Sequence, residues 1–411
     1  MTYFSPEDTL YGIAEKYPET VPVFVSNGFP QMESEEKRAR FARTIDLKSA
    51  LMLKQLDLAI YTRLLIEAID QHRSGADATL NLNEKKDSPD ALSMVGLLPC
   101  PVRLPLLEKF NDFNRRFTEE TGIHLNHELK AASMGLDWVE QNLRGVTDPA
   151  QLPDLFISAG FDMFFDRQVI GKFKDAGVFE DLSPIDRFNP LFESLNLKDP
   201  RGHFSLISVV PAVFLINTEE LGDRPLPRSW EDVMKPEFEK RVSLPVGDFD
   251  LFNGILLNIH KKYGDEGVRK LGRSLLESMH PSQMVKSDRR KENRPIVTIM
   301  PYFFTKMAKP GGTMEAVWPE DGAIISPIFM LAKEEKRRQL QRVVDFFSSR
   351  EVGEVLAHSG LFPSVHPEVD NRIDPEKPFL WLGWDYIYSH DISELISHCE
   401  GVFNQALKEA V

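Results

Sequence analysis

Cysteine is nearly missing. The chain has 411 residues and two cysteines, Cys100 and Cys399, with no C-x-x-C spacing. That excludes a disulfide framework and any all-cysteine zinc or iron–sulfur site. Positive charge is in deficit: 49 Lys and Arg against 63 Asp and Glu leave a net charge of −14. The average field repels nucleic-acid backbones and anionic bilayers, so nucleic-acid binding is not expected. Nor is membrane insertion, because the longest nearly apolar run, Leu206 to Ile216, is interrupted by Pro211 and falls short of the ~20 residues that span a bilayer. The opening Met1-Thr2-Tyr3-Phe4-Ser5-Pro6-Glu7-Asp8 has neither a basic n-region nor an apolar h-region. As it stands the chain is expected in the cytoplasm, and in the periplasm or outside the cell if a leader precedes it.

Motifs for chemistry are also absent: there is no G-x-x-x-x-G-K-[ST], H-E-x-x-H, G-x-S-x-G or G-x-G-x-x-G. One foothold for catalysis remains. Cys100 precedes a helix N-terminus, which lowers a thiol pKa, but a nucleophile needs an oriented base and no histidine is placed beside it. The expectation is a non-enzyme without a cofactor, with a cysteine-dependent enzyme as the alternative.

What is present is enough apolar material for real cores, 42% hydrophobic and 10% aromatic residues. The length suits two or three compact units at ~150 residues each. Residues 1–73 read as a helical unit. Ser5 is placed to cap a helix carrying Leu10, Ile13, Ala14 and Tyr17, ended by Pro18, and Thr20 to Val25 forms a second helix stopped at Gly28. Thr44 opens a third with Leu47, Ala50 and Leu51. Asp57 opens a fourth with Leu58, Tyr61, Leu64, Leu65 and Ala68. Residues 74–91 have linker chemistry.

From residue 92 the texture alternates between strand and helix. Met94–Leu98, Ile123–Leu129 and Asp154–Ile157 read as strands, separated by a helix with Leu106, Leu107, Phe110, Phe113 and Phe117 and another with Leu136, Val139 and Leu143. A second block repeats this grammar. Val209–Asn217, Val242–Pro245 and Ile296–Met300 are strand-like, Ser229 caps a Trp230–Met234 helix, and Ala323–Ala332 reads as a strand pair broken at Pro327. Helices over Arg337–Ser348 and Ile392–Leu407 close the chain. The economical reading is an α/β fold of two lobes joined by crossing strands, lobe 1 over about 92–210 plus returning C-terminal segments and lobe 2 over about 215–330.

In open α/β sheets, ligands sit beyond the carboxyl ends of strands, where loops enter helix N-termini. The candidate ligand-binding residues are therefore Cys100, Pro101, Ser133, Ser158, Gly160, Phe161, Asp248, Phe249, Tyr302 and Phe303. The serines offer hydroxyls, Gly160 allows close approach, and Tyr302 and Phe249 can stack or hydrogen-bond. Helix N-termini and serines favour an anion, whereas Asp248 and Asp250 favour a cation or amine. Ligand charge stays open on these residues alone.

The blocks Phe214-Leu215-Ile216-Asn217, Arg228-Ser229-Trp230-Glu231-Asp232-Val233, Pro236-Glu237-Phe238 and Val242-Ser243-Leu244-Pro245 resemble the central signature of ABC-transporter solute-binding proteins. The tail Val343-Val344-Asp345-Phe346-Phe347-Ser348-Ser349, followed by Gly353, Leu356 and Gly360-Leu361-Phe362-Pro363-Ser364, matches the closing helix of that family. The subgroup it resembles binds ferric iron, thiamine, polyamines and related solutes. The resemblance covers roughly residues 92–405 and implies a periplasmic-binding-protein-like (type 2) clamp that closes on a small molecule or ion, as an ABC-transporter component or a sensor. Ferric-binding members use a tyrosine pair where this chain reads Tyr302-Phe303-Phe304. One phenol falls short for Fe³⁺ unless Asp248, Asp250 or a bound anion completes the shell. Tyr17-Pro18-Glu19-Thr20, Phe24, Asn27-Gly28-Phe29 and Ala42 to Leu47 are similar to a small all-α domain that accompanies hybrid-cluster and iron–sulfur-repair proteins. Many relatives place a cysteine pair after that glycine. Phe29-Pro30-Gln31-Met32 stand here instead, leaving an interaction or tethering module, through which residues 1–73 would meet a protein partner or an ABC permease. A scaffold working through this unit is a further alternative.

Apparent metal clusters read as packing. His124 and His127 lie three apart on a strand and point to opposite faces, and His127 shares parity with Ile123, Leu125 and Leu129. His390, His398 and Cys399 form another apparent group, but adjacent helical positions diverge by ~100° and no metal site is expected there. The basic stretches Lys286–Arg294 and Lys333–Arg342 read as solvated faces, and Phe161, Phe164, Phe165, Trp381, Trp384, Tyr386 and Tyr388 as packing.

Overall fold

The computed structural model describes residues 3–26, 29–32, 35–54, 58, 61–62, 65–66, 69, 91–98, 100–131, 143–161, 164–246, 249–278, 294–306, 308 and 311–409. The chain divides into two compact units, Met1–Leu80 and Asn81–Val411. The proposed linker falls almost wholly outside the described residues.

The first unit contains helices α1 (Leu10–Lys16), α2 (Val21–Ser26), α3 (Glu35–Phe41) and α4 (Leu47–Leu53). Its core holds Phe24, Phe29, Met32, Leu51, Tyr61 and Leu65, with the Phe24, Phe29 and Tyr61 rings in mutual contact. Phe29 and Met32, which follow Gly28, are thus packing residues of this core. Two caps differ from expectation. Thr9, not Ser5, accepts from the Gly12 N–H to start α1, because Ser5 is engaged with Asp8 and Glu7. Asp46, not Thr44, caps α4 through the Ser49 N–H. Asp57, Leu64 and Ala68 lie outside the described residues, as does Gly28.

The second unit is a mixed α/β body. Its strands are β1 (Leu92–Leu98), β2 (Leu125–Ala131), β3 (Leu155–Ala159), β4 (Phe179–Glu180), β5 (Ser205–Asn217), β6 (Val242–Leu244), β7 (Leu275–Ser278), β8 (Val297–Pro301), β9 (Met314–Val317), β10 (Ala323–Lys333) and β11 (Phe379–Leu380). The sheet path is β2-β1-β3-β10-β5-β8-β6-β7. The labelled helices are α5 (Cys100–Thr121), α6 (Trp230–Val233), α7 (Phe249–Ser274), α8 (Tyr302–Thr305), α9 (Arg337–Phe347), α10 (Trp384–Ser389) and α11 (Ile392–Glu409). Strands β1, β2 and β3 are parallel in one lobe, and β6, β7 and β8 are parallel in the other. Gly122 at φ 71° ends α5. The helix expected around Leu136 and Val139 lies outside the described residues.

Two strands belong to both lobes. β5 and β10 run antiparallel to each other, and every residue of both is buried. Such near-continuous apolar runs mark strands covered on both faces. β5 begins at Ser205, four residues before the Val209 start read from the sequence. β10 is one strand rather than a pair broken at Pro327, with an irregularity only between Ile328 and Phe329. Backbone direction explains why proline is tolerated here. The Gly160 N–H donates to the Pro327 carbonyl, so Pro327 faces away from β5, just past the end of β3. The Val209 N–H donates to the Pro363 carbonyl, so Pro211, two residues on, faces away from β10. Both prolines turn their ring nitrogens away from the β5–β10 pairing, so they cost that pairing no hydrogen bond.

The far ends of β10 are anchored. In lobe 1, Lys333 Nζ donates to the Leu152 carbonyl at 2.7 Å and to Asp154 Oδ1 at 3.3 Å, with both side chains almost fully buried. Asp154 Oδ2 also accepts from the Ser93 N–H and hydroxyl, tying β1, β3 and β10 together. In lobe 2, the fully buried Trp230 donates its indole N–H to the Gly322 carbonyl and meets Phe214 edge-on. Trp230 is held by a capping box between Ser229 and Asp232. Burial pushes the Asp232 carboxyl up, but hydrogen bonds from Lys235, Arg228 and Ser229 outweigh it and hold it down at about 2.

Breaking a buried ion pair strands a charge, so Lys333→Met is expected to cost about 3–5 kcal/mol, read as a lowered urea midpoint for the second unit. Pro327→Ala is expected to cost under about 1 kcal/mol, because only unfolded-chain entropy changes. A gain in stability would show instead that position 327 faces an acceptor to which the alanine N–H can bond.

Candidate functional site between the facing strand ends

Register locates the gap. β10 pairs Ile328 with both Ala159, the last residue of β3, and Ser208 of β5. β5 in turn pairs Ala212 with Pro301, the last residue of β8. β3 runs with β5, whereas β8 runs against it, so the carboxyl ends of the two strand sets face each other. Among the described strands, Val209–Pro211 of β5 and Ile325–Pro327 of β10 cross the interval between them, with the segment around Pro363 and Ser364 alongside β5. The four steps from Ser208 to Ala212 span about 13 Å at ~3.3 Å each.

The loops leaving these strand ends deliver the candidate residues. α5 begins at Cys100 after β1, α7 begins at Phe249 after β6, and α8 begins at Tyr302 after β8. The first turns of α5 and α7 thus follow directly on strand ends at the gap, where their unpaired N–H groups favour negative charge. Ser133 and Asp248 lie outside the described residues. For Cys100, Pro101 and Phe249 the backbone alone is described.

The rest are placed in detail. Ser158 is buried beside β10, and its hydroxyl donates to the Ala159 carbonyl. Gly160 has φ 87°, a left-handed conformation that favours glycine, and its N–H is taken by Pro327. Phe161 is fully buried, with its ring 5.6 Å from Phe165, 6.1 Å from Phe329 and 6.0 Å from Trp381. Phe303 is half-buried on an apolar patch with Leu215, Met300 and Phe304. Tyr302 is half-buried with its ring edge-on to Trp318 at 5.2 Å. The Lys377 ammonium lies 6.0 Å from the Tyr302 ring centre and 5.2 Å from that of Trp318. Among the described residues the Tyr302 hydroxyl makes no hydrogen bond within the protein. The structure thus brings Tyr302, with Lys377, to the β8 end of the gap, and places Ser158, Gly160 and Phe161 against the bridge itself.

Sequence reasoning passed over Gly254 and Ser326. A Cβ on Gly254 would lie 3.8 Å from both Phe161 Cε2 and Ser326 Cβ, so α7 crosses directly over the bridge at this glycine. A glycine among Phe252, Asn253, Ile255 and Leu256 was the one available signal. Lys377 was missed because it precedes the two-residue strand β11, which has no periodicity to read in the sequence.

Comparisons with known proteins agree with this geometry. Residues 150–390 match the family of bacterial extracellular solute-binding proteins, and residues 4–60 match a domain of unknown function (DUF1858). No curated protein matches the sequence. Among solved structures, the chain is similar to the periplasmic binding protein AfuA from Actinobacillus pleuropneumoniae with exogenous fructose-6-phosphate bound, at 15% identity over 78% of this chain and 99% of that one, with a TM-score of 0.54. It is similar to iron-bound HitA from Pseudomonas aeruginosa, at 14% identity over 76% and 99%, with a TM-score of 0.54. It is also similar to Trichodesmium FutA in complex with iron and citrate, at 11% identity over 77% and 99%, with a TM-score of 0.52. At such identities the likeness establishes the two-lobe fold. The family match covers more than half of the sequence and includes both crossing strands, so the chain belongs to the bacterial extracellular solute-binding protein family.

Proposed function

We propose that the second unit binds a small anionic solute in the interval between the facing strand ends, and that the lobes close on it by bending at the β5–β10 bridge. The observation that carries this reading is the register that sets the ends of β3 and β8 opposite each other with β5 and β10 crossing between. A negative charge is supported by the two long helices that start at this interval and by the Lys377 ammonium beside Tyr302. The Tyr302 phenol is suited to donate a hydrogen bond to such an anion or, ionised, to join an anion in holding a ferric ion. Fructose-6-phosphate and citrate, present in two of the similar structures, are solutes of this kind. In this reading the filled body delivers its solute to an ABC permease, and residues 1–73 serve as a tether or adaptor.

Thermal melts of the full chain with ferric citrate, fructose 6-phosphate, inorganic phosphate, spermidine and thiamine test the proposal. An anion at a hundred times its Kd should stabilise the fold by about 2.7 kcal/mol. Tyr302→Phe should weaken that anion roughly tenfold or more, the worth of one hydrogen bond to a charged group. Stabilisation by spermidine or thiamine alone, or by none of the five, would contradict it.

A further inference from the structure

Away from the interval, α7 is not one straight helix. Gly264 adopts φ 63° and ψ −163°, which breaks α7 between His260 and Asp265. On an unbroken helix, residues five apart point ~140° away from each other. The break swings the Asp265 carboxylate back beside the His260 ring, leaving Oδ1 3.3 Å from His260 Nε2. His398 of α11 completes the group, with its Nε2 2.8 Å from the same Oδ1. The three donor atoms all lie within 4.8 Å of one another. His260 is oriented from behind, since its Nδ1 is 3.2 Å from the Tyr386 hydroxyl of α10. That outer contact holds the ring with Nε2 turned towards the carboxylate.

We propose that His260, Asp265 and His398 form a binding site for a zinc-type divalent transition-metal ion, separate from the solute interval. Two imidazoles and one carboxylate are the donor set for such ions, whereas calcium and magnesium take oxygen. Donors 2.0–2.1 Å from a tetrahedral zinc stand about 3.3 Å apart. The His260–Asp265 spacing already has that value, and the His398–Asp265 contact needs to open by about half an ångström. Asp265 and His398 are solvent-exposed enough for water to supply the fourth position. Asp265 is held below the usual carboxylate range, chiefly by the His398 hydrogen bond, with His260 and Arg269 adding to it. The Arg269 charge is drawn off by Glu266 at 4.0 Å. The bound ion replaces the His398–Asp265 proton and pins α11 to α7, which already meet closely at Gly272, where a Cβ would come within 2.8 Å of the Phe403 carbonyl oxygen.

The test uses the full chain, stripped with EDTA and titrated with ZnCl₂ by calorimetry, with CoCl₂ as a visible probe. The expected result is one site with Kd of about 1 µM or tighter and a tetrahedral Co²⁺ absorption band. His398→Gln, at a half-exposed position, and His260→Ala should each weaken Zn²⁺ roughly a hundredfold and abolish the band while keeping the metal-free melting temperature. Tyr302→Phe should leave Zn²⁺ binding unchanged. No Zn²⁺ binding by the parent chain at about 100 µM, or wild-type affinity in a folded His398→Gln variant, would overturn the site.

Discussion

The body depends on one constraint: its two lobes share β5 and β10, and among the described residues no other strand crosses the interval between the ends of β3 and β8. Two strands carry what several would carry in a continuous sheet. Each is wholly buried, so neither lobe can release them without exposing apolar surface to water. The lobes are therefore distinct but inseparable, which suits a device that opens and shuts around a guest.

The anchoring of β10 follows from the same constraint. At one end Lys333 and Asp154 fix the strand to lobe 1, and at the other Trp230 and the Gly322 carbonyl fix it to lobe 2. Rigid attachment at both ends confines bending to the short piece between them, where Pro211 and Pro327 face away from the β5–β10 pairing. Residues that carry the family resemblance, Ser229, Trp230 and Asp232, are in this light attachment hardware rather than ligand contacts. In the proposed reading the solute is met by the loops at the strand ends.

Much of this was legible in the sequence because local chemistry and global fold agree. The serine cap before Trp230, the stop at Gly122 and the parity that buries His127 against Phe110 all follow local rules. Failures came where tertiary context decides. Pro327 reads as a strand breaker, yet a position facing away from the strand pairing tolerates it, and no single sequence shows which way a residue faces. Phe161 reads from the sequence both as packing and as a site residue, and it is enclosed by three distant segments, at Gly254, Phe329 and Trp381. His398 was set aside because its chain neighbours diverge from it on the helix, whereas its partners reach it through a helix break at Gly264 and a helix–helix contact spanning 133 positions of chain. Such pairings follow from packing, and no periodicity announces them.

Bending at the bridge is the claim on which the functional reading turns, and a distance across it measures that directly. Spin labels would replace Arg115 on α5 and Glu239 beside β6, both exposed, in a chain whose Cys100 and Cys399 are changed to alanine. Pulsed electron–electron resonance then reads the separation with and without saturating ferric citrate or fructose 6-phosphate, whichever stabilises the fold. A hinged body gives a broad distribution that narrows and shortens by several ångströms when the solute binds. An identical distribution with and without a bound, stabilising solute would mean that the two strands form a rigid strut and that the lobes do not close.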